Sequence, residues 1–565
     1  MPRFAPIAMV LGLGLSVLNP NLAPAQDRIG LAGSYLAARQ AVVSGDHAQA
    51  ATYFLRALEV DPTNQSLINN AVYALTALGR WDDAHALLDT SLTSDDGQEL
   101  ALLTRQVIRI GGGEFDEALA AIAAGEGAGP LVDGMVSGWL QLGLGNMGLA
   151  VEEFQQASNA SPVASLAQYQ LALARASVGD FEGADAIFSG EEFGPQQLSA
   201  RGIAAHAQVL VQLDRVDDAD TLLQFALVRS ADPALLTLRD SILADPTRPY
   251  DFVLTPNQGI AEVFFSVARA LGTDTGITLP LIYTQAAHYI DPGHVDALLL
   301  AAEILRDDEQ FYLAANAYAM VPIDHPLSVA AEQGRADALF SMGQEEAALE
   351  VIRSLARNNP DLATVQAGLG DTLRQMEEFE DAIAAYDQAL ELVDQDQERY
   401  WFLFYARGIS HERIGNLEVA EADFRRALAL SPDQPQVLNY LGYSLVEQKR
   451  NLDEALDMIE RAVLARPDSG YIVDSLGWVF YRLGRYEEAV APMERAVELV
   501  PNDPIINDHL GDVYWKVGRV REAEFQWSRA LSFEPEDVDA IRIRLKLDVG
   551  LDAVLEDEAA SSESQ

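Results

Sequence analysis

The sequence predicts an all-α solenoid built from repeated helix-turn-helix units. In residues 401–535 a small residue recurs with spacings of 34, 35 and 34 positions. Its occurrences are Gly408, Gly442, Gly477 and Gly511. A second small residue follows each of them after 12 or 13 positions, at Ala420, Ala455, Ala489 and Ala523. The hydrophobic content of 49% is enough for a continuous core, and few segments alternate as a β-strand does.

The last repeat shows how each unit is built. Leu510 and Tyr514 lie four residues apart and therefore share one apolar face of a first helix, which Gly518 ends. A second helix follows, and Pro535 closes the unit. The same roles recur in earlier units at Gly477, Ala489, Met493 and Pro501, and at Gly408, Ala420, Phe424 and Pro432.

A period of 34 residues is the length of one tetratricopeptide repeat (TPR), and the pattern resembles that family. The resemblance implies a right-handed superhelical solenoid whose first helices line a concave binding face. Weaker copies occur upstream, and the whole chain holds about fourteen candidate units. The clearest upstream copies contain Gly45, Ala50, Phe54 and Pro62, and Gly138, Ala150, Phe154 and Pro162.

Closely spaced prolines divide the chain into two predicted arrays. Prolines lack a backbone N–H donor and bias the preceding residue away from helix, so residues 246–258 are predicted to be a Pro-rich break. The N-terminal array then spans residues 31–245, and the C-terminal array with its capping helix spans residues 259–548. Residues 549–565 are acidic and contain serine, and we expect them to form a disordered tail.

The first 25 residues have the pattern of a secretory signal peptide. Arg3 supplies the positive start, residues 7–18 are apolar, and Ala23-Pro24-Ala25 supplies the small residues of a cleavage site. The pattern predicts export to the periplasm. Association with the membrane is expected only if this segment remains uncleaved.

The formal net charge is −48, and lysine occurs only at Lys449, Lys516 and Lys546. A field of this sign repels phosphate backbones and anionic lipid, which argues against nucleic acid as a partner. It either favours basic partners or simply keeps the protein soluble. The chain has no cysteine, so disulfides and thiol chemistry are excluded for this sequence.

The chain carries no recognisable catalytic motif. Gly111-Gly112-Gly113 lacks the Lys-Ser/Thr of a phosphate-binding loop, and there is no Gly-x-Ser-x-Gly elbow. His288 and His294 are six residues apart, which is not a spacing that places two metal ligands on one helix face. We therefore expect no enzymatic activity, no metal and no small-molecule cofactor.

The TPR resemblance directs attention to positions near the small residue of each first helix. The candidate partner-binding residues are Tyr443, Asp474, Trp478, Tyr481, Arg482, Asp508, Asp512, Trp515 and Lys516. Aromatic anchors with fixed charges suit an extended peptide, because the rings bury apolar side chains and the charges set the register. Alternatively, the aromatic residues pack between helices, and the charged ones are solvated or bridge neighbouring units.

Three stretches, residues 439–445, 474–478 and 509–515, resemble a group of exported proteobacterial TPR proteins. That group includes periplasmic adaptors that hold substrates for carboxyl-terminal processing proteases. Those adaptors are lipoproteins, whereas this chain has no cysteine to lipidate. The expected function is a non-enzymatic periplasmic scaffold that binds protein or peptide partners in a concave groove, in its most specific form such an adaptor. The alternative is a structural component of an envelope export or polysaccharide-secretion complex.

Overall fold

The computed structural model describes residues 31–90, 98–130, 132–159, 164–230, 232–272 and 276–562. All regular secondary structure in these ranges is helical, which confirms the predicted all-α class. The chain divides into two compact units, Met1–Met342 and Gly343–Gln565. None of the helices in the described ranges has the length and apolar character needed to cross a membrane. The predicted signal peptide, residues 1–25, lies outside the described residues.

The first unit is a succession of short antiparallel helices. Their bounds are α1 (Leu31–Val43), α2 (His47–Val60), α3 (Gln65–Ala77), α4 (Trp81–Thr90), α5 (Gln98–Gly111), α6 (Phe115–Ala123), α7 (Asp133–Gly143), α8 (Met147–Ser158), α9 (Ala164–Ser177), α10 (Phe181–Phe188), α11 (Ala200–Gln212), α12 (Val216–Arg229), α13 (Pro233–Ala244), α14 (Pro256–Leu271), α15 (Thr278–Ile290), α16 (Val295–Asp307), α17 (Phe311–Ala319) and α18 (Ser328–Ser341). Consecutive helices pack on each other, and the closest pairs of this unit include α7 with α8 and α14 with α15.

The second unit continues the same pairing. Its helices are α19 (Glu345–Asn358), α20 (Ala363–Gln375), α21 (Phe379–Glu391), α22 (Trp401–Arg413), α23 (Leu417–Leu430), α24 (Pro435–Glu447), α25 (Leu452–Ala465), α26 (Gly470–Arg482), α27 (Tyr486–Leu499), α28 (Pro504–Lys516), α29 (Val520–Ser532), α30 (Asp537–Val549) and α31 (Leu551–Ser562). A short 3-10 helix, Glu398–Tyr400, precedes α22.

The periodic glycines let the two helices of a pair approach closely. A Cβ atom at Gly408 would lie 2.7 Å from the Phe424 ring, which is closer than real Cβ atoms come. Phe424 is fully buried and is itself the apolar residue that recurs in each second helix. The repeat pattern in the sequence therefore reflects one recurring contact. In it, a glycine on the first helix leaves room for a large side chain on the second helix.

The Pro-rich segment predicted at residues 246–258 separates helices, but the boundary between the two compact units lies elsewhere. The segment does lie outside helices up to Thr255, which caps α14 through a capping box with Gln258. However, Tyr250 and Val253 are buried in a core shared with α7, α9 and α14. The chain divides instead at Met342. Prolines report a local interruption of helix, whereas unit boundaries depend on long-range packing.

Helices α14 and α15 fill the face formed by the first helices of the first unit. α14 packs against α7 and α9, and α15 packs against α3 and α5. The pairing joins distant parts of the chain: Tyr73 Oη lies 3.2 Å from Thr278 Oγ1, and Tyr289 Oη donates to Asp82 over 2.8 Å. The binding face that the repeat pattern predicts is therefore occupied here by the chain itself.

A buried carboxylate anchors α14 in this position. Glu262 accepts hydrogen bonds from Tyr169 Oη at 2.9 Å, Arg201 Nε at 2.9 Å and His294 Nε2 at 3.0 Å. His294 Nδ1 accepts the Ala297 N–H, so Nε2 carries the proton. Burial alone would raise the pKa of Glu262, but Arg201 and His294 together lower it well below its usual range. Arg201 on α11 and His294 before α16 thus both stabilise the buried negative charge of Glu262.

The predicted disordered tail is wrong up to Ser562, because these residues form α31. Leu551 and Val554 are buried, and α31 packs on α30. These two apolar residues, three positions apart in an otherwise acidic segment, are enough to pack the first turn of α31 against α30. Residues 563–565 lie outside the described part of the chain.

Candidate functional site

All nine candidate residues lie on three first helices of the second unit. Tyr443 lies on α24; Asp474, Trp478, Tyr481 and Arg482 lie on α26; the other four lie on α28. The structure brings them to one face, but it gives most of them partners within the chain. Buried are Asp474, Trp478, Tyr481, Asp508 and Asp512, and half-buried are Tyr443, Arg482, Trp515 and Lys516.

Trp478 is the centre of a stack of three rings. Its ring plane lies 8° from that of Tyr481 and 14° from that of His509, with centroid distances of 4.7 and 4.0 Å. The indole Nε1 donates to Glu447 Oε1 over 2.6 Å, and the Arg482 guanidinium lies 5.9 Å from the ring centroid. Trp478 and Tyr481 therefore hold α24, α26 and α28 together, which is the packing role that the sequence left as an alternative.

His509 makes an ion pair with Asp474 inside this stack. Its Nδ1 lies 3.0 Å from Asp474 Oδ2, and both side chains are enclosed. Burial by itself would lower the pKa of His509, but Asp474, helped by Asp508 and Asp512, raises it overall. Asp474 is thus paired with His509 of the next repeat. His509 is a site residue that the sequence reasoning missed, although it lies in one of the three family-like stretches.

Asp508 and Asp512 bind Lys546 of α30. Lys546 Nζ lies 2.7 Å from Asp508 Oδ2 and 2.7 Å from Asp512 Oδ1, and its side chain is completely buried. Trp527 Nε1 also donates to Asp512, over 3.0 Å. Burial raises the pKa of Asp512, and Lys546 opposes that rise. The prediction that these carboxylates lie open to a partner is therefore wrong, because the capping helix supplies the cation.

Trp515 and Lys516 are held by α31. Trp515 Nε1 donates to Asp552 Oδ2 over 3.0 Å, and Lys516 Nζ forms an ion pair with the other oxygen of the same carboxylate. Gly550 lies against the Trp515 ring, where a Cβ atom would come within 2.7 Å of the indole. These two residues are therefore also packed against the C-terminal helices, and α30 with α31 covers the α28 end of the face.

The part of the face that remains accessible lies on α22, α24 and α26, and we call it the α24 face. It contains Asn439, Tyr443 and Glu447 of α24, with Arg413 of α22 and Arg482 of α26. Glu447 is exposed and lies 3.4 Å from Arg482. Burial raises the pKa of the Tyr443 hydroxyl, as do the nearby carboxylates, so Tyr443 is a neutral donor at physiological pH.

Asn439 has an unsatisfied acceptor on this face. Its Oδ1 is shielded from solvent and has no hydrogen-bond partner among the described residues. Asn439 stands three residues before Gly442, the position that Asp474 and Asp508 take before their own glycines. The repeat register that selected those two aspartates could therefore have selected Asn439 as well.

Titratable side chains do not converge on a metal here. The described ranges contain no group of three or more histidine, aspartate or glutamate side chains arranged to hold one. The carboxylate of the α24 face, Glu447, is instead paired with Arg482, and Arg413 of this face pairs with Glu377 in the turn after α20 at 3.5 Å. This arrangement can set the register of a bound polypeptide.

Family models described as tetratricopeptide repeat match residues 41–107, 333–397, 405–469 and 447–504. The matched segments are tetratricopeptide repeats. A TPR repeat-containing protein of Pseudomonas aeruginosa is 30% identical over 157 residues, which are 27% of this chain and 26% of that protein. The match thus spans about a quarter of the length of this relative.

Three solved structures are among those to which this chain is similar. The Cut9–Hcn1 hetero-tetramer of the APC/C is 15% identical, with 92% of this chain and 96% of that chain covered and a TM-score of 0.39. A TPR protein from Parabacteroides merdae is 15% identical over 46% of this chain and 98% of its own, with a TM-score of 0.37. YrrB, described as a TPR protein with an unusual peptide-binding site, is 21% identical over 35% and 98%, with a TM-score of 0.28. The regular structure of the described residues is all α-helical, and the segments 41–107, 333–397 and 405–504 match tetratricopeptide repeats.

Proposed function

We propose that the protein is a non-enzymatic periplasmic TPR scaffold that binds an extended segment of a protein partner on the α24 face. The observation that carries the proposal is the buried, unpartnered Oδ1 of Asn439 beside the half-buried ring of Tyr443. An unpaired buried acceptor costs about 1–3 kcal/mol, and a turn of the Asn439 side chain toward a bound segment would let a backbone N–H of that segment satisfy it. The ring of Tyr443 offers an apolar contact to a side chain of the same segment.

The choice of the α24 face is supported by the other candidate faces of both units, because the chain itself covers them. In the first unit, α14 and α15 occupy the face of the first helices. In the second unit, Lys546 pairs with the carboxylates of α28, and Asp552 binds Trp515 and Lys516. The α24 face retains accessible charged side chains, with Arg413 and Glu447 both exposed. Opposite charges at fixed places favour one register of a bound segment.

In its specific form, the proposal is an adaptor that holds substrates for a processing protease. This form rests on the resemblance of residues 439–445, 474–478 and 509–515 to the exported adaptor group and on the predicted signal peptide. Mass spectrometry of the protein recovered from the periplasm tests the location, because cleavage after Ala25 leaves Gln26 as the first residue. Recovery of the uncleaved protein in the cytoplasmic fraction would contradict the periplasmic assignment.

Affinity capture from periplasmic extract tests the binding face. The wild type is compared with an Asn439→Ala, Tyr443→Ala double variant and with a control, Phe525→Ala, which removes an exposed aromatic side chain from a second helix. Circular dichroism verifies that each variant keeps its helix content. We expect the double variant to lose a partner that the control retains. A partner retained by both would place binding elsewhere, and co-capture of a protease would support the adaptor form.

A further inference from the structure

The first unit contains a cavity that α14 leaves uncovered. It lies between α9, α10, the segment 189–199, the start of α11 and the second half of α14, and its volume is about 320 Å³. Ile187, Phe188 and Phe265 form a buried floor, and Leu166 and Leu198 continue the apolar wall. Cavities that hold small ligands begin near ~300 Å³, so this one can hold a single apolar group.

The charge at this cavity is opposite to that of the chain as a whole. The chain carries a net charge of −48, yet no carboxylate belongs to the described residues that line the cavity. Its charged lining residue is Arg269, whose side chain is exposed at the mouth. An apolar hollow with a cation at its edge selects an amphipathic anion rather than a basic or neutral ligand.

The guanidinium of Arg269 is available to a ligand. It makes no hydrogen bond or ion pair with any described residue, whereas Arg201, at the start of α11, is held by Glu262 and Asp296 at 2.7 and 2.5 Å. Burial raises the pKa of Glu303 on α16, and Arg306 and Arg269 oppose the rise.

A helix terminus adds to the positive potential. Ser199 lines the cavity and caps α11, accepting the Gly202 N–H on its hydroxyl oxygen over 3.2 Å. The backbone N–H groups of the first turn of a helix lack intrahelical partners and carry a partial positive charge. Arg269 and the start of α11 thus approach the same cavity from two elements. Gln196 and Ser266 add neutral polar groups to the lining.

We propose that this cavity binds a carboxylate carried on an apolar group. The apolar group occupies the hollow above Phe188 and Phe265, and the carboxylate pairs with Arg269 at the mouth. Two sources supply this chemistry: a small organic acid with an aromatic or aliphatic body, or the C-terminal residue of a polypeptide with an apolar side chain. The site lies in the first unit and involves none of the residues of the α24 face, so it stands or falls independently of the proposed function.

Binding of defined probes to the full chain tests the proposal by isothermal titration calorimetry. The probes are 3-phenylpropionate, its amide, the peptide N-acetyl-Ala-Ala-Phe with a free carboxylate, and the same peptide as its C-terminal amide. We expect at least one of the two acids to bind. The corresponding amide should bind at least about tenfold more weakly, because a charge-assisted contact is lost. If 3-phenylpropionate binds as well as the peptide, the source is a small acid; if the peptide binds better, it is a polypeptide terminus.

One variant and a control assign the contact. Arg269→Gln is expected to weaken binding of the acid about tenfold and to leave binding of the amide unchanged. Arg229→Gln, an exposed arginine on α12, is the matched control and should change neither. Equal binding of acid and amide, binding of neither, or an unchanged acid affinity in Arg269→Gln would overturn the proposal.

Discussion

His509 lies flat on Trp478 across the boundary between two repeats, with ring centroids 4.0 Å apart and 14° between the ring planes. Asp474 holds the imidazole from the α26 side at 3.0 Å, and the pKa of His509 is raised despite its burial. A protonated ring over an indole face adds a cation–π contribution to the ion pair. The junction of α26 with α28 is therefore a charged contact enclosed by aromatic rings.

The first prediction concerns the pH dependence of this junction. Because the folded pKa of His509 lies above its ordinary value of 6.5, the ion pair contributes fully below about pH 6.5 and is lost as pH rises through the folded pKa. Hydrogen exchange of the α26 and α28 amides, corrected for intrinsic rates, should show weaker protection toward pH 9. In Asp474→Asn this slope should disappear. An unchanged slope in the variant would assign the pH dependence to other groups.

The second prediction concerns Lys546. Lys546→Met leaves two buried carboxylates, Asp508 and Asp512, with only the more distant Arg542, at 3.7 and 3.8 Å, as a cation. Breaking a buried pair costs about 3–5 kcal/mol. We expect α30 and α31 to lose protection from hydrogen exchange and to become sensitive to protease. The additional changes Asp508→Asn and Asp512→Asn should restore part of the protection, because they remove the unpaired charges.

Lys516→Met is the matched control for that experiment. Lys516 pairs with Asp552, whose side chain is 64% exposed, and a solvent-exposed pair contributes about 0–1 kcal/mol. Equal loss of protection in Lys516→Met and Lys546→Met would show that the burial of the second pair carries no special weight.

The third prediction concerns the docking of α14. A Cβ atom at Gly259 would overlap the Trp139 indole, which is fully buried and fixed by a 2.8 Å hydrogen bond from Nε1 to Gln170. Gly259→Ala should therefore destabilise the first unit by about 1–3 kcal/mol, as overpacking of a core does. Gly148→Ala in α8 has no atom within 4 Å of the new Cβ and should be neutral or stabilising. Thermal unfolding followed by far-ultraviolet circular dichroism separates the two; an equally stable Gly259→Ala protein would refute the close packing.

The fourth prediction concerns Asn439. If Oδ1 of Asn439 is paired only in the complex with a partner, Asn439→Leu should raise the protection of α24 from hydrogen exchange by about 1 kcal/mol. The same variant should capture less of the partner. Asn316→Leu, at an exposed position within α17, should leave both nearly unchanged. Reduced stability of α24 in Asn439→Leu would mean that the amide already contributes to the fold.

The repeat architecture could be predicted from the sequence because its signal is local. A glycine in the first helix and a large residue such as Phe424 in the second recur at fixed spacing, and each pair is one close contact. The unit boundary could not be predicted in this way. Nothing in the spacing of Pro246 or Pro249 indicates that Tyr250 will join the same core as α14. Which helix fills a face depends on tertiary packing, for which local propensity has no signal.

The repeat register selected Asp508, Asp512 and Trp515, which lie on α28, but it gave no sign of what contacts them. Their partners, Lys546 and Asp552, lie more than 30 residues further along the chain, on helices outside the regular pattern. A sequence pattern identifies the side chains that point to a face, but it does not identify what else covers that face.

The packing of α15 against α3 has a consequence for how the first unit is made. Tyr73 and Thr278 are 205 residues apart in the chain, and Asp82 and Tyr289 are 207 apart. At synthesis rates of ~5–20 residues per second, the intervening chain takes about 10–40 seconds to emerge. During that time the first helices present an apolar face that only their own late partner covers. The rate of chain elongation therefore sets how long the first-synthesised helices are exposed to aggregation, which is not so for a repeat array that folds neighbour by neighbour.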